Sequence, residues 1–116
     1  MYRKGLMAAS TKPIILSILS KGKNYGYEII QEVKSYSEGN LSWSDGMLYP
    51  VLHKMERENL VRSEWQISPD GRKRKYYAIT PEGKEVLHAE KHHWVSVHNV
   101  LMRLWGLPQM NLSIDQ

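Results

Sequence analysis

The chain of 116 residues has no cysteine, which excludes disulfides, thiolate nucleophiles, cysteine zinc sites and cysteine-based redox switching. It also has no run approaching 18 uninterrupted apolar residues, so no membrane-spanning helix is expected. The opening MYRKGLMAASTK is too polar, and its apolar run too short, for a signal peptide. The expected location is therefore cytoplasmic. There is no Gly-rich phosphate loop and no Gly-x-Ser-x-Gly elbow, and the carboxylates are scattered over helical faces that read as solvated. No catalytic constellation remains, and an enzyme is not expected. Internal repeats are absent too, so the length corresponds to one domain. A domain this short buries a modest core, and dimerisation is a natural way for it to hide more apolar surface.

Cations are in excess. Lys and Arg outnumber Asp and Glu by 16 to 12, a formal charge of +4, which suits a nucleic-acid partner without demanding one. The most informative stretch runs from Asp70 to Gly83 (DGRKRKYYAITPEG) and contains a turn, four consecutive cations, a strand and a helix start. Upstream, Val61, Ser63, Trp65 and Ile67 alternate with Arg62, Glu64 and Gln66, the period-2 pattern of a strand with one buried face. After the turn Tyr77 and Ile79 point one way, and Arg74, Tyr76 and Ala78 the other. Joined by Ser68-Pro69-Asp70-Gly71, the two runs read as a β-hairpin with Arg72 to Lys75 at its tip.

Before the hairpin, Ile14 to Leu19 form an apolar helical segment stopped at Lys21-Gly22. Pro13 either opens that helix or kinks one that began near Lys4. Asn24 is expected to cap a second helix whose apolar stripe is Ile29, Ile30, Val33 and Tyr36. Leu41 to Trp43 reads as a very short strand or an extended linker. Ser44 is expected to cap a third helix, with Leu48, Val51, Leu52 and Met55 buried and Gly46, Pro50, His53 and Arg57 on the opposite face. Thr80 caps a fourth helix with Pro81 in its first turn, expected to reach about Trp105 before Gly106 and Pro108. Leu87, Trp94, Val97, Leu101 and Leu104 on it follow a near-heptad spacing, a seam that asks for a partner helix. Helix, helix-turn-helix and hairpin in this order give a mainly α fold with a small β-hairpin: a winged helix-turn-helix over 1–80. A C-terminal dimerisation helix over 81–106 and a frayed tail over 107–116 complete it. In such a fold the third helix enters the DNA major groove and the basic hairpin tip touches the backbone or minor groove.

Three motifs in the same order, Gly26-Tyr27-Glu28-Ile29, Met47-Leu48-Tyr49-Pro50-Val51-Leu52 and Gly71 to Gly83, resemble the PadR family of bacterial transcriptional regulators, from about Leu6 to Trp105. The single long C-terminal helix resembles the family's short subgroup, which includes the lactococcal multidrug-resistance repressor. The resemblance implies a ligand-responsive repressor, dimeric through the last helix, with no cofactor. It also implies a flat apolar slot in which a tryptophan and its symmetry mate sandwich planar ligands. Trp94 falls at that position. Glu90, Val97 and His98 lie one turn either side of it. By the same analogy Leu6, Ala9 and Pro13 are further walls. Met47 stands where the family commonly has Thr or Ser, and His98 where the drug-binding relative has a carboxylate. Glu90 and Lys91 replace smaller or apolar residues, so specificity for cationic drugs is not carried over.

The expected partner is double-stranded operator DNA, met by Ser44, Met47, Tyr49, His53 and Lys54 of the third helix and by Arg72, Lys73 and Arg74 of the hairpin. Ser44 doubles as the cap. Tyr27 reads equally as a phosphate ligand or a packing residue. Trp94 reads as a platform for a small aromatic or apolar effector, or as ordinary dimer core. The same fold binding DNA without an effector, and a winged-helix module for another protein or a small molecule, are the other readings. His88 and His92 stand at i, i+4 near His93 and Glu85, but no Glu-x-x-His pattern or second cluster accompanies them, and no metal site is expected.

Overall fold

The computed structural model describes residues 4–111. The elements are α1 (Lys4–Ser20), β1 (Asn24–Tyr25), α2 (Gly26–Tyr36), α3 (Asp45–Arg57), β2 (Val61–Ile67), β3 (Lys73–Ile79) and α4 (Pro81–Trp105). The strands form one antiparallel sheet in the order β1-β3-β2. The fold is therefore helix-rich with a small winged sheet, as the hairpin and helix signals imply.

Each helix contributes one apolar stripe to a single core. Ile15, Leu16 and Leu19 of α1, Ile29 and Val33 of α2, and Leu48, Leu52 and Met55 of α3 meet Val61 and Tyr77 of the sheet and Leu87 of α4. Pro13 is inside α1, which passes through it. Ser44 caps α3 as expected, its hydroxyl accepting from the Met47 N–H at 3.2 Å. Thr80 caps α4 by accepting from Gly83 N–H at 3.0 Å, and it donates its own hydroxyl to the Asn59 carbonyl at 2.6 Å. That pair of bonds ties the start of α4 to the base of the wing. α4 ends at Gly106, whose φ of 71° is the left-handed conformation that glycine adopts without a Cβ penalty.

Three local expectations are corrected. Asn24 does not cap α2. It pairs with Tyr77 in β1, accepts from Tyr25 N–H at 2.9 Å and donates to Glu32 at 2.7 Å. Of the two readings of Leu41 to Trp43, the extended linker is the one that holds, anchored by the buried Trp43 indole. Tyr36 is 66% exposed, with Lys21 over its ring, instead of lying in the core stripe. The first part of the tail is held: Asn99 donates to the Met110 carbonyl at 2.8 Å and accepts from its N–H at 2.7 Å, folding 107–111 back along α4. The rest of the tail, 112–116, lies outside the described residues. Among the described residues no helix is long and apolar enough to cross a membrane.

Candidate nucleic-acid interface and the groove beside α4

The α2–α3 corner is set by one close approach. A Cβ on Gly26 would lie 2.3 Å from the Tyr49 hydroxyl and 2.6 Å from Cζ, so only glycine lets the phenol settle on the start of α2. Tyr49 is half-buried there, and burial first, then the Asp45 charge, raises its pKa above the ordinary phenol value. Met47 is also partly packed against the core. Of the residues expected to meet DNA on this helix, Ser44, His53 and Lys54 are therefore the solvent-facing ones, with Gly46, Pro50 and Arg57 exposed beside them. Tyr49 acts first as the contact between the two helices, and its ring centroid lies 6.2 Å from that of His53.

Three of the wing's four cations lie in β3, whose alternation sends Arg74 to one face and Lys73 and Lys75 to the other, while Arg72 stands in the turn before it. Arg74 turns to the β1 side. Its guanidinium pairs with Asp70 at 2.8 Å, donates to Ser68 at 3.1 Å, and sits 4.6 Å from the Tyr25 centroid and 5.9 Å from that of Tyr27. Ser68 also hydrogen-bonds Asp70, and these donors, Arg74 foremost, hold the Asp70 carboxyl well below the usual carboxylate range. Arg74 thus braces the turn and docks it against α2, where Tyr27 is 56% exposed. Lys75 lies 5.9 Å from the Tyr77 ring. Arg72 and Lys73 point outward and are exposed. The turn is a three-residue loop, Pro69-Asp70-Gly71, closed by Ser68 N–H to the Arg72 carbonyl at 2.8 Å, with Gly71 at a φ of 83°.

An apolar groove of about 600 Å³ runs between α1, the end of α2 and α4. Of the residues expected around an effector, Pro13, Glu90 and Trp94 line it. The Trp94 N–H donates to Glu90 at 3.2 Å, which fixes the indole plane. Leu6, Ala9, Val97 and His98 stand on the surface outside this lining. Sequence reasoning missed Ile14, Tyr36 and Met110 as walls; Met110 is held there by the Asn99 clamp. His88 and His92 have ring centroids 5.0 Å apart, and the described residues contain no group of three or more side chains able to hold a metal.

A profile described as "Transcriptional regulator PadR-like family" matches residues 15–89, from the last turns of α1 through the first turns of α4. The chain belongs to that family. PadR-like regulators are DNA-binding proteins and not enzymes, so the groove and wing belong to a transcriptional regulator. A PadR-like regulator of Bacillus cereus superposes with a TM-score of 0.79 at 31% identity, covering 88% of this chain and 97% of that one. A Streptococcus mutans structure gives 0.76 at 30% identity over 96% of this chain and 100% of the other. Uncharacterized protein X of Lysinibacillus sphaericus is 30% identical over 101 residues, 87% of this chain and 93% of that protein. The transcriptional regulator YqjI of Escherichia coli is 31% identical over 74 residues, which is 64% of this chain and only 34% of YqjI.

Proposed function

We propose that this PadR-like chain is a cytoplasmic homodimeric repressor of the short subgroup, joined through the second half of α4 and seated on a pseudo-palindromic operator. The two α3 helices enter major grooves about one turn, roughly 34 Å, apart. Ser44, His53 and Lys54 face the groove, Arg72 and Lys73 meet the backbone, and Tyr27 and Arg74 flank them. Tyr49 and Met47 position the helix. A planar or apolar effector in the groove beside Trp94 biases the relative orientation of the two DNA-binding halves.

The observation that carries this reading is the uncovered stripe on α4: Trp94 is 37% exposed, Val97 59%, Leu101 38%, Leu104 75% and Trp105 61%. A contiguous apolar face of this kind on a soluble domain marks an interaction surface, and its near-heptad spacing suits a second copy of the same helix. Leu87, expected in the seam, is instead 5% exposed within the chain's own core, so the surface offered to a partner begins at Trp94.

Sedimentation velocity on the full chain tests it. A dimer is expected, and Leu101→Glu with Leu104→Glu should give a folded monomer that binds operator far more weakly. A monomeric wild type refutes the seam. Quenching of intrinsic fluorescence by planar aromatic compounds, lost in Trp94→Ala, tests the effector; absence of quenching across the panel reassigns Trp94 to packing.

A further inference from the structure

The alternation in β2 marks Trp65 and Ile67 for the same buried face as Val61 and Ser63, yet they are 60% and 68% exposed. The reason is reach. On this face the sheet is covered as far as Ser63↔Tyr77, and the hairpin then continues four residues further, roughly 13 Å at 3.3 Å per residue. The register places Lys75 opposite Trp65 and Lys73 opposite Ile67, so the two apolar side chains share a face with two lysines. Lys73 Nζ stands 5.7 Å from the Trp65 ring centroid, and Arg72 is exposed at the tip beside them.

Single exposed apolar residues need no explanation. An indole and an isoleucine side by side near the tip of a cationic projection form a defined surface. We propose that Trp65 and Ile67 are a second, apolar DNA contact of the wing, inserted into the minor groove while Arg72 and Lys73 hold the flanking phosphates. The occupant follows from charge complementarity: the lysines that frame the pair suit the dense negative charge of a duplex. The minor groove, about 6 Å wide, excludes a helix but admits side chains from a hairpin, and apolar wedges there unstack a base step and bend the duplex. This inference rests on the operator-binding reading above and adds to it a source of specificity, the deformability of the step being wedged.

The test begins with an operator selected by the full-length wild type from a randomised duplex library. Affinity is then measured by fluorescence anisotropy between 50 and 200 mM salt, and bending by energy transfer between end labels. The variants are Trp65→Ser with Ile67→Ser, Trp65→Phe with Ile67→Val, and Lys73→Ala. The Ser pair should bind about ten- to a hundred-fold more weakly at every salt, with an unchanged log–log salt slope and a smaller bend. The Phe/Val pair should recover most of the affinity. Lys73→Ala should instead reduce the slope by about 1. Both side chains are solvent-facing, so circular dichroism of the Ser pair should match the wild type. Equal affinity and bend in the Ser pair overturn the proposal and leave the face to a protein partner. A loss that appears only as a changed slope overturns it in favour of a purely ionic wing. A wild type that selects no duplex at all refutes the operator reading itself, an outcome separate from both.

Discussion

Replacing Gly83 by alanine sets helix propensity against packing, and the structure decides the sign. Within a helix, alanine is favoured over glycine by about 1 kcal/mol. Gly83 is the third residue of α4, and a Cβ there would lie 2.2 Å from the Leu60 carbonyl oxygen and 2.8 Å from Ile79 Cγ1. Relief requires α4 and the base of the wing to part by about 1 Å, since an ordinary C···O contact is about 3.3 Å or more. The groups that must part are already bonded: Leu60 O accepts from Thr80 N–H at 3.0 Å, and the Thr80 cap accepts from Gly83 N–H at 3.0 Å. Overpacking costs about 1–3 kcal/mol, a weakened hydrogen bond about 1, and a disturbed cap about 1. Set against the propensity gain, the net destabilisation is about 2–4 kcal/mol, a drop of roughly 8–16 °C in Tm for a domain of this size. Thermal unfolding followed by circular dichroism at matched protomer concentration measures it. Gly46→Ala is the comparator, because its Cβ would meet nothing closer than Ser44 Oγ at 3.8 Å, and its Tm should hold or rise. A Gly83→Ala chain as stable as the wild type would refute the claim that this glycine is required by the junction.

Tyr77 is fully buried, and burial pushes its phenol up to about 12 from an ordinary value of 10.0, so the folded state holds the proton more tightly than the unfolded one. Stability is complete below about pH 10 and should fall by up to about 1.4 kcal/mol per unit as the pH rises toward 12; urea unfolding at pH 9 and 11 should show this slope flattened in Tyr77→Phe. Asp70 is the opposite case: its depressed pKa makes the wing-tip network intact above the ordinary carboxylate range near 4 and lost only in stronger acid. Asp70→Asn should speed amide exchange at Ser68 and Arg72 without altering α4, whereas unchanged exchange would show that the ion pair does not order the turn. Arg72→Ala should weaken operator binding with a salt slope smaller by about 1, while Arg74→Leu should weaken it by loosening the wing, seen as faster exchange in the same amides.

The parts of the fold governed by neighbouring residues were legible in the sequence. Thr80-Pro81-Glu82 and Gly106 bound α4, Ser44 bounds α3, and Pro69-Asp70-Gly71 makes the turn, because caps and turns are decided within four residues. Asn24 shows the limit of that rule. Asparagine is among the best capping residues, but the strand residue whose backbone pairs with it, Tyr77, is fifty-three positions away in the sequence. A two-residue strand is also too short to carry any periodicity.

The candidate site was legible in its residue types and less so in their roles, since periodicity reports which residues share a face and not what covers that face. On α4 one apolar stripe changes partner along its length. Leu87 and Val95 are buried within the chain, while Trp94, Val97, Leu101 and Leu104 face outward. In β2 the same ambiguity made Trp65 and Ile67 look like core. In the wing it hid the division of Arg72 to Lys75, which sequence alone presents as one block of charge. Once the run is a strand, alternate residues must part. Arg74 is drawn to Asp70 and the tyrosines of β1 and α2, and Lys73 is left beside Trp65. A cationic run in a hairpin is therefore two half-runs with different duties. The half that braces the turn determines how firmly the other half is presented to the duplex.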